Sequence, residues 1–215
     1  MNTIAGTLQK VSQLDGAVVD QGYAQGVISI LEHIKANDPN ANIDAAQRLS
    51  RSLQDGLKDI HSWVYPYVLP EDYTYFLEYW GGLHIKTNKF YLEIMGIGIM
   101  VDSWYSYLMG DEGFFDPSDD GVILLGSLGS QQPIHGAYPR VYFILDLAGI
   151  FQAEQIIGVG PLTTGNSIVK HIVKTPATYV ADWKILARSF SQWLEIVATS
   201  AGSCGYTFSI NESRV

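Results

Sequence analysis

The segment from Leu69 to Gly82 marks the point where the hydrophobic spacing of this chain changes from helical to strand-like. Pro70 suits a first helical turn, and Glu71 and Asp72 after it favour a helix N-terminus. One set of side chains recurs at helical intervals: Tyr73, Phe76, Leu77 and Trp80. The segment therefore predicts a helix with one buried face, which the glycines at 81 and 82 are expected to end.

The chain before this segment favours helices and little else through its first 65 residues. Val27–Lys35 and Ile43–Val64 each place their apolar side chains at intervals of three or four residues. The turn-forming run Asn37–Asn40 separates them. We expect a helical arm over residues 1–64 and an α+β domain over residues 65–215, together in one compact unit.

After Gly82, apolar and polar residues alternate along the chain, as they do in short strands. The predicted strands are Phe90–Met95 with a continuation at Ile97–Val101, Val122–Leu125, Val141–Leu147, Gln155–Val159 and Tyr206–Ile210. Ile168–Val173 fits either a strand or a helix, and Ala181–Thr199 has the spacing of one helix. This order predicts an α+β fold, in which a curved antiparallel or mixed sheet carries N-terminal helices and a C-terminal helix packed on it.

Charge and hydropathy exclude several classes of partner. The chain has 22 acidic residues against 13 Lys and Arg, for a net charge of -9. This balance disfavours nucleic acids and anionic membrane surfaces, both of which are bound by basic side chains. The longest apolar stretch, Ile94–Val101, is too short to cross a bilayer, and residues 1–14 do not resemble a signal peptide. The one cysteine, Cys204, permits no intrachain disulfide and fits a cytoplasmic location.

An acidic segment follows the central strands. It contains five carboxylates before Gly121, namely Asp111, Glu112, Asp116, Asp119 and Asp120. From Asp116 it matches the first half of an EF-hand calcium loop, but Ser127 occupies the position that requires a bidentate Glu. Three interpretations stay open at this point: a solvated hairpin loop, a contact surface for a basic partner, and a calcium site.

Motifs for catalysis are absent from the sequence. The five histidines are dispersed, and no nucleophile elbow, phosphate-binding loop or dinucleotide fingerprint is found. Carboxylate pairs such as Glu93 and Asp102, or Asp146 and Glu154, leave acid–base chemistry open in principle. We expect a protein that is not an enzyme and that has no cofactor and no bound metal.

The segment from Leu69 to Leu194 resembles the SUKH superfamily, which includes cell-wall regulators of the Smi/Knr type. The resemblance rests on the Leu69–Gly82 helix, on the glycine-punctuated Met95–Gly98, and on the late motif Ser189–Leu194. Trp80 departs from the family pattern, which has Asn or another polar residue before the two glycines. Residues 1–60 lie outside the resemblance.

The resemblance implies a binding module without catalytic residues. Bacterial SUKH proteins are mostly immunity proteins that bind and block a cognate toxin domain, often a nuclease or a deaminase, whereas the fungal members are regulators. We therefore expect an immunity protein whose acidic segment binds a basic toxin. The expected contact residues are the five carboxylates of that segment with Tyr105 and Tyr107 as aromatic anchors. A regulatory or scaffold protein and an unrecognised small-molecule or metal-dependent enzyme are the alternatives, and the oligomeric state is not predicted.

Overall fold

The computed structural model describes residues 2–21, 55–97, 121–133, 138–149, 155–162, 183–204 and 206. Within these residues the chain forms four helices and seven strands. The helices are α1 (Asn2–Val11), α2 (residues 55–64), α3 (Glu71–Tyr79) and α4 (Phe190–Thr199). The strands are β1 (Ala17–Gln21), β2 (Trp80–Lys86), β3 (Phe90–Met95), β4 (Val122–Ser130), β5 (Arg140–Asp146), β6 (Gln155–Leu162) and β7 (Trp183–Ala187).

The strands form one sheet in which spatial order follows sequence order, from β1 at one edge to β7 at the other. Every neighbouring pair is antiparallel, and the sheet is not closed. The predicted α+β fold with helices at both ends is confirmed. Of the two predicted alternatives, antiparallel and mixed, the described strands adopt the antiparallel one.

Helices cover one face of this sheet. Because side chains alternate along a strand, Leu83, Ile94 and Phe143 all point to that face, and all are buried. Trp193 of α4 lies over Phe143 with 4.9 Å between the ring centroids. A second layer is formed by α3, whose Tyr73 ring lies 4.8 Å from the ring of Phe190. The predicted aromatic face of α3 therefore packs on the C-terminal helix.

One carboxylate joins the N-terminal ends of α3 and α4. Asp72 Oδ1 accepts a hydrogen bond from the N–H of Tyr73 at 2.9 Å, within the first turn of α3. Asp72 Oδ2 accepts from the N–H and from the Oγ–H of Ser191 in α4, both at 2.8 Å. First-turn N–H groups have no partner within their own helix, so Asp72 satisfies one such group in each helix.

The N-terminal helix α1 also packs on α4. Its buried apolar side chains are Ile4, Leu8 and Val11. At the edge of this contact, Thr7 donates a hydrogen bond to the carboxylate of Glu195, and Lys10 forms an ion pair with the same carboxylate at 3.4 Å. The predicted boundary between a helical arm of residues 1–64 and an α+β domain of residues 65–215 stays a prediction.

The predicted role of the two glycines after α3 is wrong. The helix ends at Tyr79, and β2 begins at Trp80 with Gly81 and Gly82 inside it. A Cβ on Gly96 would lie 2.1 Å from the carbonyl carbon and oxygen of Gly81. Gly82 has a φ of +122°, and a Cβ there would lie 2.8 Å from a backbone oxygen of β3. Glycine is needed here because β2 and β3 approach each other closely, rather than to terminate a helix.

The helix predicted over Ala181–Thr199 is wrong in its first part. Residues 183–187 form β7, and α4 begins only at Phe190. The boundary is a capping box, in which the Ser189 side chain accepts from the N–H of Gln192 while the Gln192 side chain accepts from the N–H of Arg188. This pattern is visible in the sequence, but the apolar spacing alone did not separate the strand from the helix.

The helical interpretation of the first 65 residues is wrong at β1, where Ala17–Gln21 forms a strand after a turn at Gly16. It agrees with the structure at residues 55–64, the described part of the second predicted helix. Predicted strands at β3, β4, β5 and β6 are confirmed, and β4 extends to Ser130. The strand continuation predicted over Ile97–Val101 is wrong at its first residue, because Ile97 is helical. The predictions for Val27–Lys35 and Ile168–Val173, and for residues 43–54, 98–101 and 207–210, lie outside the described residues.

Candidate functional site: the face of the sheet opposite to α4

The residues predicted to bind a partner lie outside the part of the chain that the structure describes. They are Tyr105, Tyr107, Asp111, Glu112, Asp116, Asp119 and Asp120. The acidic contact surface and the calcium alternative therefore stay predictions. The described residues instead bring together a set of side chains that the sequence did not indicate as a site.

This set lies on the face of the sheet opposite to the helices. Tyr142 precedes Phe143, which contacts α4, so Tyr142 points to the other face. The strand registers place four side chains directly beside one another across β2, β3, β4 and β5. This central row consists of His84, Glu93, Ser127 and Tyr142. Its members therefore form a continuous line across the sheet.

A second line of residues runs beside the central row on the same face, two positions along each strand. This outer row consists of Lys86, Tyr91, Gly129 and Arg140. Neighbouring strands are about 4.8 Å apart, so each row extends about 14 Å from β2 to β5. The two rows give the face a width of about 7 Å.

Contacts between the rows agree with this placement. The His84 ring centroid lies 6.1 Å from that of Tyr91, its diagonal neighbour across β2 and β3. A Cβ on Gly129 would lie 3.5 Å from Arg140 Nε and 3.8 Å from Nη2, so the guanidinium lies over this glycine. Ser127 is buried, His84, Tyr91, Glu93 and Tyr142 are half-buried, and Lys86 and Arg140 are exposed. The two rows thus present polar and aromatic groups around a buried serine.

The order of side chains in the central row differs from that of a catalytic triad. In a catalytic triad the histidine lies between the nucleophile and the carboxylate. In the central row Glu93 lies between His84 and Ser127, and within the described residues no hydrogen bond or ion pair joins these three side chains. The described part of the chain also holds no group of three or more His, Cys, Asp or Glu side chains that could bind a metal ion. Together the two rows hold two tyrosines and one arginine, residue types that are enriched at protein interfaces.

Two buried titratable groups, Tyr73 and Cys204, and the half-buried Tyr206 lie on the other side of the sheet. Burial raises the pKa of the Cys204 thiol and the pKa of the Tyr73 hydroxyl. Burial and the neighbouring Cys204 raise the pKa of Tyr206 to about 12. The Tyr206 ring lies beside Phe143, with 6.3 Å between the centroids, and therefore on the helix-covered face. These groups are separated from the two rows by the sheet itself.

Sequence reasoning missed the rows because no local motif contains them. His84 and Lys86 alternate with the buried residues 83 and 85, and Tyr91 and Glu93 alternate with buried residues in the same way. That alternation indicates that these side chains share one face of their own strand. Only the register between strands shows that residues nearly 60 positions apart, from His84 to Tyr142, form one row.

Within the described residues, an open, seven-stranded antiparallel sheet carries α3 and α4 on one face and the two rows of polar and aromatic side chains on the other, which makes this an α+β protein. No family model matches the chain, and neither a curated protein nor a solved structure is significantly similar to it. The resemblance to the SUKH superfamily accordingly stays a prediction. No helix among the described residues is both long and apolar enough to cross a membrane.

Proposed function

We propose that this chain is a non-enzymatic binding module that holds a protein partner on the face of its sheet opposite to α3 and α4. One observation carries the proposal: the strand registers place His84 of β2, Tyr91 of β3, and Arg140 and Tyr142 of β5 on one face of the sheet. Antiparallel sheets commonly pack one face on the core and present the other to the surroundings. Tyr and Arg are enriched in the energetically dominant parts of protein interfaces.

The particular form we propose is an immunity protein that acts in the cytoplasm and neutralises a toxin domain by covering it. The resemblance of Leu69–Gly82 to the SUKH opening motif supports this form. The net charge of -9 would favour a basic toxin and would accelerate its association. Cys204, the one cysteine, is buried, which is compatible with a reducing compartment.

The test begins with capture of partners from the native host on the immobilised full chain. The double variant His84→Ala/Tyr142→Ala should lose the partner, because it removes two half-buried side chains at the ends of the central row. Val68→Ala is the matched control, since Val68 is a 78% exposed apolar side chain outside both rows. Melting curves of both variants ensure that a loss of capture is not a loss of folding.

A growth assay then separates immunity from regulation. If the captured protein arrests growth when expressed alone, co-expression of the wild-type chain should restore growth, and the double variant should not. A partner that is harmless by itself would instead favour the regulatory alternative. Equal capture by the double variant and by the wild type would show that the partner binds elsewhere. If no partner is enriched over an unrelated acidic control protein, the proposal of a binding module is wrong.

A further inference from the structure

The end of the sheet where β2 meets β3 and β4 meets β5 differs in charge from the rest of the chain. Three exposed cationic side chains lie there: Lys86, Lys89 and Arg140. Tyr138, which is 63% exposed, precedes Arg140 by two residues. We name these four residues the basic end. A chain with a net charge of -9 thus concentrates cations and an exposed aromatic ring at one location.

The cations of the basic end are not paired with carboxylates of the described residues. The ion pairs among those residues involve Lys10 and Lys58 instead. Two acidic residues lie near Lys86: Asp15, which precedes the Gly16 whose backbone oxygen accepts from the N–H of Lys86 at 2.9 Å, and Glu93, which is the diagonal neighbour of Lys86 across β2 and β3. Even so, no Asp15 carboxylate oxygen lies within 4.0 Å of Lys86 Nζ. Within the described residues, no carboxylate therefore neutralises this positive charge.

Hydrogen bonds hold the two turns of the basic end together. The N–H of Gln131 donates to the backbone oxygen of Lys89 at 2.8 Å, which joins the β2–β3 turn to the end of β4. Gln132 Nε2 donates to the backbone oxygen of Asn88 at 3.4 Å, and Thr87 Oγ1 accepts from the N–H of Lys89 at 3.2 Å. The backbone that carries the cations is thus ordered before any ligand arrives, which lowers the entropic cost of binding.

We infer that the basic end binds an acidic segment of a protein partner, an inference that rests on the proposed function. The guanidinium of the exposed Arg140 lies over Gly129, and a carboxylate can bind such a planar donor through two parallel hydrogen bonds. Lys86 lies at the other end of the outer row, about 14 Å away, and Tyr91 lies between them. The spacing fits an extended peptide with acidic residues that flank an aromatic or apolar one.

The overall charge favours a short acidic peptide over a nucleic acid. A polynucleotide carries one charge per phosphate along its length, and the net charge of -9 repels all of it. A short acidic segment places its few charges at the basic end alone, where three cations are available. The affinity is expected to be modest and to fall with salt, because the contacts are exposed.

In the test, a deca-glutamate peptide is titrated into the full chain at low ionic strength, and the amide chemical shifts of the chain are measured. The expected shifts are confined to residues 86–91, 131–133 and 138–140. The triple variant Lys86→Gln/Lys89→Gln/Arg140→Gln should weaken binding by about tenfold, since it removes three exposed ion pairs. The control Lys58→Gln/Lys184→Gln/Arg188→Gln changes the net charge equally at exposed positions elsewhere and should bind as the wild type does.

Three outcomes would overturn the inference. The first is the absence of shifts at the basic end, and the second is an equal loss of binding in both triple variants, which would indicate only a long-range charge effect. The third is tighter binding of a thymidine decanucleotide at the same amides, which would assign the basic end to a nucleic acid. None of these bears on the proposed function, which is tested by capture of the native partner with the His84→Ala/Tyr142→Ala variant.

Discussion

The carboxylate of Asp72 is expected to contribute more to stability than any other exposed or half-buried acidic residue of α3. It accepts one hydrogen bond within α3 and two from Ser191 in α4, at 2.8–2.9 Å. Its negative charge also lies at the N-terminal ends of both helices, where it is favourable. Asp72→Ala removes all of these interactions at once and leaves the first-turn N–H groups of two helices to water.

The expected loss of stability in Asp72→Ala follows from the helix N-terminal cap that Asp72 provides to each of α3 and α4. Loss of one N-terminal cap costs about 0.5–2 kcal/mol, and the interaction of the charge with each helix dipole is worth about 0.3–1 kcal/mol. Asp72 is half-buried, so water replaces part of what is lost. We therefore expect Asp72→Ala to lower the free energy of unfolding by about 2–3 kcal/mol. Glu71→Ala is the control, because Glu71 has the same charge in the same turn but is exposed, and it should cost about 0.5 kcal/mol.

The stability of both variants is measured by urea unfolding, with tryptophan fluorescence as the signal. The midpoint should fall for Asp72→Ala without a change in the slope m, because the surface exposed on unfolding is the same. A double-mutant cycle with Ser191→Ala should give a coupling energy of about 1 kcal/mol. If Asp72→Ala costs no more than Glu71→Ala, or if the coupling energy is zero, then Asp72 does not connect the two helices and the reasoning is refuted.

Three further predictions concern other parts of the fold. The hydrogen bond from Thr7 lowers the pKa of the Glu195 carboxyl below its usual value of 4.5. The difference in free energy of unfolding between the wild type and Glu195→Gln should therefore be constant at neutral pH and should shrink as the pH falls below 4.5. Burial raises the pKa of Cys204, so a thiol reagent at pH 8 should label it only after unfolding. Gly96→Ala should destabilise by about 1–3 kcal/mol through a clash with Gly81, whereas Gly6→Ala, with free space in α1, should stabilise by about 0.5–1 kcal/mol.

Each of these predictions has a result that would contradict it. A Glu195→Gln difference that grows as pH falls would mean that the carboxylate is destabilised by folding. Rapid labelling of native Cys204 would show that α4 and the residues after it open readily. Equal effects of Gly96→Ala and Gly6→Ala on the urea midpoint would mean that β2 and β3 are not in close contact at Gly81 and Gly96.

The elements that sequence reasoning located best are those whose signals are local and redundant. In α3, the acidic first turn and the apolar spacing agree with the structure, and the aromatic face packs on Phe190 as a buried face should. In β5, branched and aromatic residues form an unbroken run, and the strand lies within the predicted Val141–Leu147 except for its first residue, Arg140. Consistent local preferences of this kind predict element type well.

Errors occurred where one pattern fits two structures. Gly81 and Gly82 suit the end of a helix as well as a close strand pair, and only the position of Gly96 beside Gly81 distinguishes the two. Leu186 has helical spacing with Phe190, yet it lies in β7, because Ser189 begins a new helix with its side-chain cap. At the glycines a tertiary contact decides between the two structures, whereas at Ser189 a local cap decides, which the apolar spacing does not reveal.

The candidate site could not be found from the sequence, yet the core determines its geometry. In each of β2, β3 and β5 the residue of the central row is adjacent to a buried residue that faces the helices, such as Leu83 beside His84 and Phe143 beside Tyr142. A shift of the register by one residue would send those apolar side chains to the other face and expose them. The packing that opposes this shift therefore also holds His84, Glu93, Ser127 and Tyr142 in line. It follows that a core substitution such as Phe143→Ala would disturb the proposed binding face without changing any residue of that face.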